Sequence, residues 1–150
     1  MSWETLFTVT NYWALVGWIA LAFLPRGPRI LTLILYAGVA LLCLAYAVML
    51  GAIMSGLWDA EGPDKAMDFT TLAGVMTLFA TKGGAVVGWT HYLAIDLFTG
   101  MWIARDADNK GFSRLLQIPF LFLTLMFGPV GLLLWLVVRE PAARRQAKRR

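Results

Sequence analysis

Four apolar stretches dominate the chain, at about residues 7–24, 30–57, 84–104 and 115–138. Each reaches or approaches the ~20 residues that a helix needs to cross a hydrocarbon core of ~30 Å. Nothing else in the sequence constrains the fold so tightly. In lipid the backbone has no water to bond, so each stretch must satisfy its own N–H and C=O groups as a helix. Composition decides that lipid is the solvent. Apolar residues make up 59% of the 150 positions, and mean hydropathy is +0.68. Soluble domains are about 45–50% apolar, and one this small could not hide the excess from water.

The segments between the stretches agree with this division. In "PRGPR", Pro25 and Pro28 cannot continue a helix, while Arg26 and Arg29 suit the headgroup level. Trp3, Tyr12, Trp13, Trp58, Trp102 and Trp135 fall near stretch ends, as interface anchors do. A further apolar stretch at residues 66–81 is too short for a comfortable span. It reads as a short interfacial or re-entrant helix after the acidic loop "DAEGPDK", with a thin fifth span as the alternative. The expected fold is all-α: a polytopic membrane protein of four transmembrane helices plus that short helix. Residues 1–139 form one domain, and residues 140–150 form a basic cytoplasmic tail.

Six of the 13 Lys and Arg residues lie from Arg139 onward, with Glu140 as the single acid there. Beside a span, such a tail points to anionic lipid. No aromatic residue is interleaved with it and no nucleic-acid motif is present, so no nucleic-acid partner is expected. With four spans, Lys and Arg divide 8 against 5 in favour of the tail's side; with five spans they divide 9 against 4. Both counts put the tail in the cytoplasm by the positive-inside rule, and they differ on the N-terminus. "MSWETLF" has no basic n-region and no cleavage site follows, so the first stretch is expected to be retained. Without a Ser/Arg-rich transit peptide, a bacterial inner membrane fits best.

The third stretch contains "GWTHYLAIDLF", with the chain's single histidine, His91, and a carboxylate, Asp96. An aspartate at a span's centre costs about 2.5–3.5 kcal/mol on insertion scales, so it is expected to face protein or water. Five residues of helix separate the two groups by roughly 140° around the axis, so they do not share one face. They either grip different neighbours or border one pocket from two sides. Trp89, Tyr92 and Gly100 fall near the Asp96 face, and Gly84, Gly88, Ile95 and Trp102 near the His91 face. "GAVVG", Gly84 to Gly88, permits close helix approach and is a candidate contact for oligomerisation. In "FGPVG", Pro129 should kink the fourth helix one turn back, near Leu125, and could open a cavity. Tyr36, Tyr46, Trp89, Tyr92 and Phe98 are candidates to line a slot for a long apolar lipid.

Other chemistries are absent from the sequence. One histidine cannot hold a haem in pairs, and no cofactor or metal is expected. Cys43 is the single cysteine, which excludes an intrachain disulfide and a CxxC zinc site. Lys82 reads as a snorkelling lysine beside a glycine pair. There is no Walker loop, HExxH, GxSxG or dinucleotide loop. The loop "RDADNKGFSR" reads as a solvated turn, or as a contact for polar substrate ends or headgroups.

Four stretches together resemble a known family. They are "NYWALVGWIALAFLPR", "DFTTLAGVMTLFA", "GWTHYLAIDLFTGMWIARDA" and "LTLMFGPVGLLLWLVVR". This order is similar to that of the abscisic-acid-deficient membrane family, whose plant members are required for neoxanthin formation. The third and fourth stretches are the most specific. The resemblance implies a small integral membrane protein linked to xanthophyll metabolism, where the plant reaction isomerises an epoxy-carotenoid to an allenic one. Such chemistry needs an acid for the epoxide oxygen and a base for a chain proton. Asp96 is the candidate acid and His91 the candidate base or orienting group. Trp89, Tyr92, Phe98, Trp102 and Pro129 are the candidate substrate contacts. The alternatives are a non-enzymatic pigment- or lipid-binding subunit of a larger complex and a small lipid-handling transporter.

Overall fold

A computed structural model describes residues 1–62 and 68–147. It is all-α. Helix α1 spans Trp3–Phe23 and ends where Pro25 interrupts the chain. Helix α2, Pro28–Leu33, has proline at its first position, where a missing N–H costs nothing. It runs through a π-helical segment, Ile34–Ala40, into α3, Leu41–Met54. Together these form one 27-residue rod, Pro28–Met54. Then come α4 (Leu72–Phe79), α5 (Lys82–Asn109), α6 (Arg114–Phe127) and α7 (Pro129–Ala147). Hydroxyls cap four starts: Ser2, Thr71, Thr81 and Ser113 each accept a backbone N–H of the first turn.

Two helices, α1 and the Pro28–Met54 rod, are long and apolar enough to cross a membrane. A third span is reached when α4 and α5, bent by 98° at their junction, count as one. Only 33% of the apolar window of α1 and 28% of that of the rod are buried within the chain. The remainder, including Val16, Ile19, Tyr36 and Leu44, faces outward as a lipid-facing surface does.

Helix α5 is the central post. Its Leu97, fully buried, inserts against Gly17 of α1 and Gly38 of the π-helical segment. A Cβ at Gly17 would lie 2.8 Å from Leu97 Cδ2, so the missing side chain is what makes room for the leucine. The π-helical segment frees a carbonyl from the regular ladder, and the Trp13 indole donates to the Ala37 oxygen at 2.6 Å.

The short helix expected at 66–81 is α4, confined to Leu72–Phe79; residues 66 and 67 lie outside the described residues. It turns sharply from α5 rather than extending it. The fourth expected span, 115–138, is not a single helix. The chain reverses at Gly128, whose φ of +38° suits a residue without Cβ. Phe120 and Trp135 lie edge to face with centroids 5.5 Å apart. In a continuous helix they would be about 22 Å apart along the axis. Gly131 rests against the Thr124 backbone for the same reason. Pro129 therefore opens α7 instead of kinking a helix interior. The 14 residues of α6 reach about 21 Å at 1.5 Å per residue, short of a full crossing.

Candidate functional site

The two ends of the bundle are polar and differ in kind. At one end Lys82 bridges Glu4 at 2.8 Å and Glu61 at 3.0 Å, all three well exposed. The Trp3 indole donates to the Asp59 carbonyl nearby. At the other end Asp106 accepts from Arg139 at 2.6 Å, from Lys110 at 2.6 Å and from the Trp135 indole at 3.1 Å. Arg139 also lies over the Trp102 ring. Beside this cluster, Asp108 accepts from Arg26 and from Gln117, and Gln117 also accepts from Arg26. Burial draws the Arg26 guanidinium below its ordinary value, while Asp108 pulls the other way. The C-terminal end of α5 is thus tied to the turn after α1, to α6 and to α7.

Asp96 lies between these ends, 14 residues after Lys82 and 10 before Asp106. That is about 21 Å and 15 Å of helix, close to mid-membrane in a chain that spans. It is half-buried. Among the described residues no hydrogen bond or ion pair reaches its carboxylate. The hairpin tip leans on it instead: a Cβ at Gly128 would lie 2.6 Å from Asp96 Oδ1.

A cavity of about 290 Å³ opens at this point. Asp96, Trp89 and Tyr92 of α5, Trp18 of α1, and Phe127, Gly128 and Pro129 of the hairpin line it. Trp18 is 4% exposed, with the far edge of its ring pressed on Gly100. Its Nε1 has no hydrogen-bond partner among the described residues. A buried donor left unmade costs about 1–3 kcal/mol, so such a group calls for a reason.

His91 faces elsewhere. It lines a second cavity, of about 250 Å³, with Tyr46, Ile53, Phe79, Gly88 and Tyr92. Its ring lies 5.6 Å from Tyr46 and 6.0 Å from Tyr92, centroid to centroid. Tyr92 is the residue common to both cavities. The Gly84–Gly88 pair is covered within the chain by α4: Phe79 packs on Gly88, and the Leu78 carbonyl on Gly84. Phe98 and Trp102 line a third cavity with Arg105, Asp106 and Asn109, nearer the buried polar end. Of the residues singled out from sequence, Asp96, Trp89, Tyr92 and Pro129 therefore come together. His91 shares Tyr92 with them and lies within electrostatic reach of Asp96 without bonding to it, and Phe98 and Trp102 stand apart.

Sequence reasoning missed Trp18, Phe127 and Gly128 in the lining, and the Asp106–Arg139–Trp135 cluster that holds the hairpin. Gly-Pro is a turn signal, and it was available at Gly128-Pro129. Nothing in local pattern could have placed Trp18 opposite Asp96. Among the described residues no three His, Cys, Asp or Glu side chains gather as a metal-binding set.

A family model described as ABA DEFICIENT 4-like matches residues 5–135. No curated protein and no solved structure matches the chain.

Proposed function

The chain belongs to the ABA DEFICIENT 4-like family, and from that premise we propose that it is a xanthophyll-related membrane protein acting on an oxygenated carotenoid end ring. The observation that carries this reading is the Asp96 cavity. It sets a half-buried carboxylate, with no hydrogen bond or ion pair among the described residues, between aromatic walls on the side of an apolar bundle. Aromatic and apolar walls suit a flat terpenoid ring, and a few placed polar groups suit its oxygen. In an isomerisation, Asp96 gives a proton to the ring oxygen as its C–O bond opens, and the carboxylate so formed takes up the proton that leaves the adjoining chain carbon, which restores the acid. His91 opens on the neighbouring cavity, so its part is to hold Tyr92 in place.

A second reading is favoured by that same separation. Acid and base are not assembled around one ligand position, which suits a pigment-binding subunit without turnover. Mass-spectrometric carotenoid profiles of deletion, complemented and Asp96→Asn strains decide between them. Loss of one oxygenated product on deletion, unrestored by Asp96→Asn, supports isomerisation. Pigment that co-purifies but is chemically identical in the deletion strain supports binding. A colourless preparation with an unchanged profile sinks both.

Topology follows from the hairpin. With three crossings and α6–α7 re-entrant, the basic tail lies on the side of the α5–α6 loop. Eleven of the 13 Lys and Arg residues then belong to that side, leaving Lys65 and Lys82 on the other. This reading places the C-terminus in the cytoplasm of a bacterial inner membrane, against anionic lipid, and the N-terminus outside. Single cysteines at Ser2 and Glu140, in a Cys43→Ser background, should be labelled by an impermeant reagent from opposite faces. Labelling from the same face restores four full spans.

A further inference from the structure

We propose that the third cavity, between α5 and the Pro28–Met54 rod, holds one anionic phospholipid, its phosphate on Arg105 and its acyl chain along Phe98 and Leu35. The cavity measures about 280 Å³, and Phe98, Met101, Trp102 and Arg105 of α5 line it together with Leu35 of the rod. Offsets of three, four and seven residues from Phe98 put these α5 side chains on one helix face. The wall therefore changes from apolar to cationic along the helix axis, as an amphiphile does along its length. Arg105 is exposed and, among the described residues, has no hydrogen bond or ion pair. The charges beside it, Asp106, Asp108 and Lys110, each have an ion-pair partner.

Depth agrees with this occupant. Arg105 lies nine residues after Asp96, about 14 Å of helix. Half of a hydrocarbon core is about 15 Å thick. With Asp96 near the middle of the membrane, Arg105 reaches the level of the lipid phosphates, and Phe98 stays among the acyl chains. Trp102, between them, sits where aromatic residues meet the headgroups. Charge then selects the class of lipid. Asp106 also lines the cavity, but Arg139 and Lys110 each meet its carboxylate at 2.6 Å. Arg105, Lys110 and Arg139 thus outnumber the one acid, and their field favours a headgroup of net negative charge over a zwitterion. A guanidinium can bond two phosphate oxygens at once, which holds the headgroup in one orientation. The site is separate from the Asp96 cavity and does not rest on the carotenoid reading.

The test is native mass spectrometry of the full chain, delipidated in detergent and titrated with dioleoyl phosphatidylglycerol, dioleoyl phosphatidylcholine or inorganic phosphate. The wild type should take up a first phosphatidylglycerol about tenfold more tightly than a first phosphatidylcholine. Arg105→Gln should weaken that phosphatidylglycerol about tenfold, the scale of a charge-assisted hydrogen bond, and Arg105→Lys should weaken it less. Arg29 is the matched control. It is exposed and without a partner among the described residues, and it follows the turn whose Arg26 pairs with Asp108, so it lies at the same polar end. Arg29→Gln should leave the first phosphatidylglycerol within about twofold of the wild type. Equal losses from Arg105→Gln and Arg29→Gln would mean a diffuse surface field and overturn the site. Phosphatidylcholine binding as tightly as phosphatidylglycerol overturns it too. Inorganic phosphate binding as tightly as the lipid would mean a phosphate site with no part for the apolar wall, which also overturns it. If Arg105→Gln does not fold, the wild-type comparison of the two lipids decides.

Discussion

The His91 and Asp96 cavities flank the same helix and are closed in opposite ways. On the His91 side the lid is α4, a helix of eight residues with none of them buried. It touches α5 through the side chain of Phe79, itself 46% exposed, and through one carbonyl on Gly84. On the Asp96 side the lid is a hairpin whose Gln117, Leu121, Thr124, Gly128, Gly131 and Trp135 are buried. Its tip meets the site with backbone, and its base is fixed by ions. The first cavity has an edge that can give. The second has a lid fixed at its base by ion pairs and at its tip by backbone contact, which favours a defined placement of the polar group. The difference teaches where chemistry is affordable in this fold: under the rigid lid, where an unpaired carboxylate is kept.

The comparison breaks most readily at the hairpin's base. Asp106→Ala removes the acceptor shared by Arg139, Lys110 and the Trp135 indole. It should destabilise the protein by about 2–3 kcal/mol, since two partly buried cations and an indole N–H lose their shared partner. Unfolding followed by circular dichroism in mild detergent measures this. A change within about 0.5 kcal/mol would mean that the cluster is a solvated surface feature.

Next come two matched glycines. A Cβ at Gly131 would collide with the Thr124 backbone, which cannot step aside, whereas a Cβ at Gly88 meets the Phe79 ring, which can. Gly131→Ala should cost about 1–3 kcal/mol, as overpacking does, and Gly88→Ala clearly less. Equal losses in thermal unfolding would erase the distinction between a rigid and a yielding lid.

These two glycines also mark how far the sequence could be read. Three long helices and the short one before α5 were legible, because apolar length, "PRGPR" and the acidic loop "DAEGPDK" are local signals. The helical offset of His91 and Asp96 was legible too, and the two residues line separate cavities. The hairpin was not. An apolar run has the same hydropathy whether it continues or doubles back, and both forms satisfy the backbone in lipid. What selects reversal is long-range: Asp106 awaiting Arg139, 33 residues on, and Thr124 awaiting a residue without a side chain. Pro129 in a helix interior predicts a kink, and only the φ of +38° at Gly128 turns that kink into a return.

At Asp96 function and stability part. Asp96 has no bonded partner among the described residues, so the fold should gain by losing it. Asp96→Leu should raise the unfolding free energy by about 1–3 kcal/mol, a large part of the insertion cost of the carboxylate. The same variant should abolish any change in the carotenoid profile, as expected where stability has been given up for activity. A destabilised Asp96→Leu protein would make Asp96 a structural residue and remove the basis for placing chemistry there.

The smallest effect is expected on the other face. The His91 ring is exposed and meets Tyr46 and Tyr92 at 5.6 and 6.0 Å. Aromatic pairs of this kind contribute about 0.5–1.5 kcal/mol when buried, and less at an open rim. His91→Phe keeps the ring contacts and removes the nitrogens. If His91 acts by holding Tyr92, this variant retains both stability and carotenoid profile, while His91→Ala loses part of the turnover through a displaced Tyr92. If the nitrogens themselves move a proton, His91→Phe is as inactive as Asp96→Leu. The two cavities would then have to communicate through Tyr92 during the reaction, and α4, the looser lid, would be the element that moves.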